Sequence, residues 1–143
     1  LGLPPDGLLF SVLVGALAAV DDAVLAGVTV AVDGPGEHTN GGLYRHSEGR
    51  WTRLDLPTPS DAIVARLVVD PDDSSGVIVL FERSTATEQR SPLSELAFES
   101  ADGGVTWAPL TDSSLESLGP SDAVLSGADT YVLNPGDGFM LRV

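Results

Sequence analysis

Ser100-Ala101-Asp102-Gly103-Gly104-Val105-Thr106-Trp107 is the stretch whose reading decides the fold. Leu96-Ala97-Phe98 leads into it as a short apolar run, and Trp107-Ala108-Pro109-Leu110 leads out. The residues between are those of a tight turn joining two antiparallel strands. An Asp can accept hydrogen bonds from the backbone N–H groups of the turn it starts, so Asp102 is assigned that role, with Ser100 assisting. Gly103 and Gly104 supply the positive φ angles that such a turn needs. Trp107 then covers the hairpin with a large apolar surface.

Outward from this turn the chain alternates short β-rich runs with turn clusters. Residues 12–19 are apolar and Asp21-Asp22 breaks them; residues 23–32 form the next run. Asp33-Gly34-Pro35-Gly36 opens a polar loop that closes at Asn40-Gly41-Gly42, after which Leu43-Tyr44-Arg45 and residues 51–54 read as strands. The order then recurs. Residues 62–69 are apolar, Asp70-Pro71-Asp72-Asp73 turns the chain, Val77-Ile78-Val79-Leu80-Phe81 is a continuous apolar run, and a polar loop covers residues 83–92. A third, incomplete round holds Ala123-Val124-Leu125, residues 130–133 and residues 139–143. Strands at this spacing between Gly, Pro and Asp turns indicate an all-β fold. Only residues 113–118 read as a single turn of helix.

The repeat sets the architecture. Trp51 and Trp107 are 56 residues apart, each closing a hairpin of similar composition. A unit of four strands and roughly 40–55 residues has the size of a propeller blade. Such a unit cannot bury both faces alone and must stack on its neighbours. The expectation is stacked four-stranded antiparallel blades over residues 8–57 and 60–111, with an incomplete blade over 120–143. A small β-sandwich is the alternative.

The pattern S/T-x-D-x-G-x-T-W in residues 100–107 resembles the Asp box of the bacterial-neuraminidase-repeat β-propellers, a group that includes sialidases, sortilin-like receptors and photosystem assembly factors. His46-Ser47-Glu48-Gly49-Arg50-Trp51 is a degenerate copy that keeps the Gly and the Trp. The resemblance implies a structural role on the outer rim for Ser100, Asp102, Gly104, Thr106 and Trp107, and no catalytic role for Asp102. It also implies a secreted protein, extracellular or periplasmic, and the seven Arg with no Lys are read as a bacterial coding bias. Propellers have about 4–8 blades, so this chain is expected to be a piece of two to three blades, completed by further blades or by self-association.

Composition narrows the partners. The formal net charge of −14 and a basic complement of seven Arg with no Lys argue against nucleic acid, which needs clustered cations, and against an anionic membrane surface. The apolar run of residues 8–20 is too short to span a bilayer, so no membrane insertion is expected. With no Cys, disulfides, thiolate zinc sites and thiol nucleophiles are excluded. His38 and His46 lack metal-ligand spacing. Asp70-Pro71-Asp72-Asp73-Ser74-Ser75-Gly76 resembles a calcium loop, but the EF-hand pattern requires Gly at position six and Glu at twelve, where Ser75 and Phe81 stand. A solvated turn is the main reading, a weak calcium site the lesser one, and no other cofactor is expected.

Three functions follow. The first is a non-catalytic binding or scaffold module for a protein or carbohydrate ligand, presented on the loops at residues 33–42 and 82–94. Arg83, Glu88, Gln89 and Arg90 are its candidate binding residues, because long loops carry function more often than core strands. The second is part of a sialidase-like glycoside hydrolase. That would need an inward Arg triad with a Tyr–Glu pair, whereas Arg45, Arg50 and Arg53 crowd one hairpin and Tyr44 and Tyr131 lie in strands. The third is an assembly factor for a membrane complex. Catalytic residues are assigned to none of these positions.

Overall fold

The computed structural model describes residues 10–32, 38–83, 91–110, 116–117, 122–126, 129–134 and 139–142. The protein is mostly β, organised as antiparallel sheets stacked in chain order. The first sheet is β1 (Phe10–Val20), β2 (Ala23–Val32), β3 (His38–Ser47) and β4 (Arg50–Leu54), paired in that order. The second joins β5 (Ala62–Val69), β6 (Val77–Arg83), β8 (Ala97–Ser100) and β9 (Ala108–Pro109). Between β6 and β8 the chain adds β7 (Ser91–Pro92) and a single helical turn, α1 (Leu93–Leu96). β7 pairs with β10 (Glu116–Ser117), and a third sheet follows from β11 (Asp122–Ser126), β12 (Asp129–Asn134) and β13 (Phe139–Arg142).

The two four-stranded sheets repeat each other in register. β1 carries a bulge at Gly15, between the pairs Val14↔Val28 and Ala16↔Gly27. β5 carries the same bulge at Ala65, between Val64↔Phe81 and Arg66↔Leu80. Following the pairings outward, Leu17–Ala26–Tyr44–Arg53 corresponds to Leu67–Val79–Phe98–Pro109. Trp51 therefore stands where Trp107 stands.

Strand alternation sends successive side chains to opposite faces, and in the second sheet both faces are apolar and covered. Val79, Phe81 and Phe98 meet Leu43 of the first sheet, with Ala62 and Val64 beside them. Phe81 and Phe98 contact edge to face at 6.0 Å between ring centroids, a favoured aromatic geometry. Ile78, Leu80 and Ala97 point the other way and pack with Leu93 and Leu110 against Ala123 and Val132 of the third sheet. A third cluster, Val20, Ala23, Leu25 and Val77, closes one end of the first interface. The continuous apolar reading of Val77 to Phe81 thus has its cause in a strand buried on both sides, as fully covered strands require.

Several local expectations change. The polar loop expected to run to Gly42 is already strand from His38, with Gly41 left over as a bulge between Val28↔Gly42 and Thr29↔Asn40. Leu96, expected in a strand, ends α1, where Leu93 and Leu96 share one buried face at i, i+3 spacing. The helical turn expected at residues 113–118 is strand at Glu116–Ser117, and residues 111–115 and 118 lie outside the described residues.

The first two sheets approach closely at Gly27, where a Cβ would collide with the Cβ and Cγ1 of Val64. Gly27→Ala should therefore destabilise the fold by about 1–3 kcal/mol, the usual cost of overpacking. Adding Val64→Ala should recover part of that loss through coupling of touching residues. Urea denaturation of both variants checks it; an additive double variant would place the strain elsewhere.

Candidate functional site

Two places in the second sheet carry chemistry, and they lie at its opposite ends. At one end, β8 and β9 are joined by the turn of residues 101–107. Here one carboxylate organises the backbone. The Asp102 Oδ1 accepts from the N–H groups of Val105 at 3.0 Å and Thr106 at 2.8 Å, while its Oδ2 accepts the Thr106 hydroxyl at 2.6 Å. The Ser100 hydroxyl donates to Asp102 Oδ1 at 2.8 Å and accepts from the Gly104 N–H at 2.9 Å. The Trp107 indole N–H donates to the Gly104 carbonyl at 3.2 Å. All five residues singled out from the sequence thus meet in one hydrogen-bonded turn.

The same turn docks on the first sheet. Arg45 Nε of the first sheet donates to the Gly103 carbonyl at 2.9 Å, while within the second sheet the Gly103 N–H donates to the Ser75 carbonyl of the β5–β6 turn at 2.9 Å. Gly103 and Gly104 have φ of 66° and 79°, a region that L side chains rarely adopt. A Cβ at Gly104 would also fall 2.8 Å from Leu25 Cδ2. Gly104 is therefore constrained twice, by the turn and by the neighbouring sheet, while a Cβ at Gly103 would meet only the Asp21 carboxylate, at 3.2 Å. The degenerate copy differs in kind. Glu48 and Gly49, with φ of 51° and 76°, form a two-residue hairpin loop between Ser47↔Arg50, the mirror-image turn that suits twisted strands. Trp51 there packs against His46, with ring centroids 4.9 Å apart and planes tilted by 51°.

The hydrogen bonds to Thr106, side chain first and then backbone, hold the Asp102 carboxyl at a pKa of about 2. The carboxylate is fully in use as an acceptor and exposed, and its low pKa makes it a poor proton donor near neutral pH.

The Asp70–Gly76 loop spends its carboxylates likewise. Asp70 Oδ1 accepts the Asp72 N–H at 2.9 Å, and Asp73 Oδ1 accepts both the N–H and the hydroxyl of Ser75 at 3.0 and 2.6 Å. Ser75 thereby lowers the Asp73 pKa. Among the described residues no three His, Asp or Glu gather closely enough to hold a metal.

At the opposite end of the sheet, a polar cleft of about 600 Å³ opens between Thr58, Ser60 and Asp61 on one side and Arg83, Pro92 and Glu95 on the other. Arg83 anchors its wall. Arg83 Nε donates to Asp61 Oδ2 at 2.7 Å and Nη1 to the Ser91 hydroxyl at 2.7 Å. Arg83 was expected in the polar loop as a candidate binding residue; it is the last residue of β6, and its head is tied to the linker before β5 and to β7. Glu88, Gln89 and Arg90 lie outside the described residues. Sequence reading missed Asp61, Ser91 and Glu95, because a pairing across 22 residues leaves no periodic trace; the recurring Ser-Asp-Ala at residues 60–62 and 121–123 was its one visible hint.

The described arginine side chains do not converge. Arg45 binds Gly103, Ser47 and Asp22, Arg66 pairs with Asp122 at 3.1 Å, and Arg83 pairs with Asp61. Among the described residues no helix is long and apolar enough to cross a membrane. No family model, curated protein or solved structure matches the chain.

Asp102→Ala should cost about 1–3 kcal/mol, since several backbone and hydroxyl donors lose their acceptor. The pH dependence has a definite sign. A folded pKa of about 2 against an ordinary 3.8 means the carboxylate stabilises the fold above about pH 4 and ceases to do so as pH falls through about 2. The stability gap between wild type and Asp102→Ala should shrink over that window in urea titrations. A gap that stays constant would show that the charge on Asp102 is irrelevant to the turn.

Proposed function

We propose that this chain is a non-catalytic binding module of an Asp-box β-propeller, and that it presents the polar cleft beside Arg83 to a carbohydrate or protein ligand. The observation that carries the reading is the cleft itself: an open, polar concavity at the end of the second sheet, whose wall is held rigid by the Asp61–Arg83–Ser91 network. Rigid walls with exposed hydroxyls and a carboxylate at the rim suit hydrogen-bonded ligands, because little ordering is left to be done on binding.

Two features favour the propeller over a sandwich. A sandwich has two layers, whereas three sheets stack here in chain order. The leading strands of successive sheets also touch, β5 lying against β1 and β11 against β5, as inner strands around an axis would. The turn of residues 100–107 lies on the third and fourth strands, toward the rim. A sialidase-like site completed by other blades, and an assembly factor for a membrane complex, are the competing readings; the dispersed arginines favour neither.

The reading is tested by titrating isotope-labelled protein with neutral and sialylated oligosaccharides and with the corresponding free sugars. Shifts should cluster at Thr58, Ser60 and Glu95, and Glu95→Ala, an exposed change, should weaken binding about tenfold if it removes one charge-assisted hydrogen bond. Shifts gathered at Ser100 to Trp107 instead would move the ligand to the turn and overturn the cleft assignment.

A further inference from the structure

The outer face of the first sheet is built as an interface and has no partner within the described chain. Register correspondence makes the point residue by residue. Val12, Val14, Leu17 and Trp51 occupy the positions of Ala62, Val64, Leu67 and Trp107. In the second sheet those four belong to the core formed with the first sheet. In the first sheet their counterparts are 65%, 60%, 67% and 50% exposed. At the other end of the stack, the third sheet buries Ala123 and Val132 and leaves Val124 and Leu133 at 57% and 38%. Large apolar side chains gathered exposed on one sheet face are a mark of an interaction site.

The two free faces are opposite in kind. The outer face of the first sheet corresponds to the side of a sheet that receives its predecessor. The outer face of the third sheet is the side that a sheet offers to its successor. Contacts of that kind are already made twice within the chain, first sheet on second and second on third. We propose that the occupant is a second copy of this chain, docked head to tail, with the third sheet of each copy on the first sheet of the other. Two copies supply six sheets, within the roughly four to eight of closed propellers, and reciprocal docking leaves neither face open. The proposal rests on the stacked-blade reading but not on the ligand assigned to the cleft. Heterologous contacts that fail to close grow into open chains, so closure is part of the claim. With a formal charge of −14 per copy, the dimer forms against repulsion and tightens as salt screens it.

Light scattering should give twice the 14.8 kDa chain mass, with the dimer fraction rising with salt. Leu17→Arg and Val124→Arg should each return it to the monomer with an unchanged circular-dichroism spectrum, while Glu95→Ala leaves the mass alone and so separates this proposal from the cleft reading. The chain has no cysteine, so Leu17→Cys and Val124→Cys proteins can be mixed and treated with a short thiol cross-linker. Mixed cross-links are expected. A well-folded monomer at all salt concentrations, cross-links only between like variants, or open-ended growth in mass would each overturn the proposal.

Discussion

The burial of β6 on both faces is the constraint on which the rest of the structure depends. Five consecutive residues, Val77 to Phe81, are buried, and no single neighbour can cover a strand from two sides. Alternation sends Val77, Val79 and Phe81 to the first sheet and Ile78 and Leu80 to the third. Fully burying an aliphatic or Phe side chain is worth about 1.5–3 kcal/mol, so stripping either neighbour from the second sheet exposes several such side chains at once. The outer sheets are bound by this need more than by their own pairing. The first sheet, with Val12, Val14 and Leu17 exposed, owes its place to the face it shares with the second.

Against that packing, the turn of residues 100–107 has a second task beside closing a hairpin. The hydrogen bonds of Asp102 and Ser100 are local, but the fit of the turn is not: Gly104 leaves room for Leu25, and the carbonyl of Gly103 accepts from Arg45. Ser74 donates to Asp21 at 2.6 Å across the same junction. Polar contacts thus rim an apolar interface at the end where the sheets would otherwise splay. A motif whose hydrogen bonds are all internal would stabilise one hairpin. This one also limits the distance between two sheets, which explains why Gly104 is needed although the turn geometry alone would tolerate Asn there.

What was legible in the sequence follows the range of the interactions. The turn could be read because Ser100, Asp102, Thr106 and Trp107 act on atoms within a few residues of themselves. β6 could be read because burial on two faces leaves an unbroken apolar run. The matching bulges at Gly15 and Ala65 were invisible, since each shifts the apolar pattern by a single residue. The start of β3 was hidden because His38, Thr39 and Asn40 are polar and a bulge at Gly41 follows, so neither hydrophobicity nor alternation marks them. The cleft was half legible. Arg83 stood out as a charged residue near a long loop, but its partners Asp61 and Ser91 come from elements that only the folded sheet brings together.

The same logic separates the two ends of the second sheet by what each can offer a ligand. At the turn end, Asp102, Ser100 and the glycine backbone have their hydrogen-bonding capacity used within the protein, and the low pKa of Asp102 reflects that use. A ligand there would have to displace existing bonds and gain little. At the cleft end, Arg83 and Asp61 satisfy each other and hold the wall, while the exposed Ser60 and Glu95 face outward. A group that is fixed by its neighbours makes a scaffold, and a polar group left facing solvent on that scaffold makes a contact. The division of labour between buried pair and exposed rim, more than the presence of arginine itself, is what supports the proposal that the cleft is the binding end.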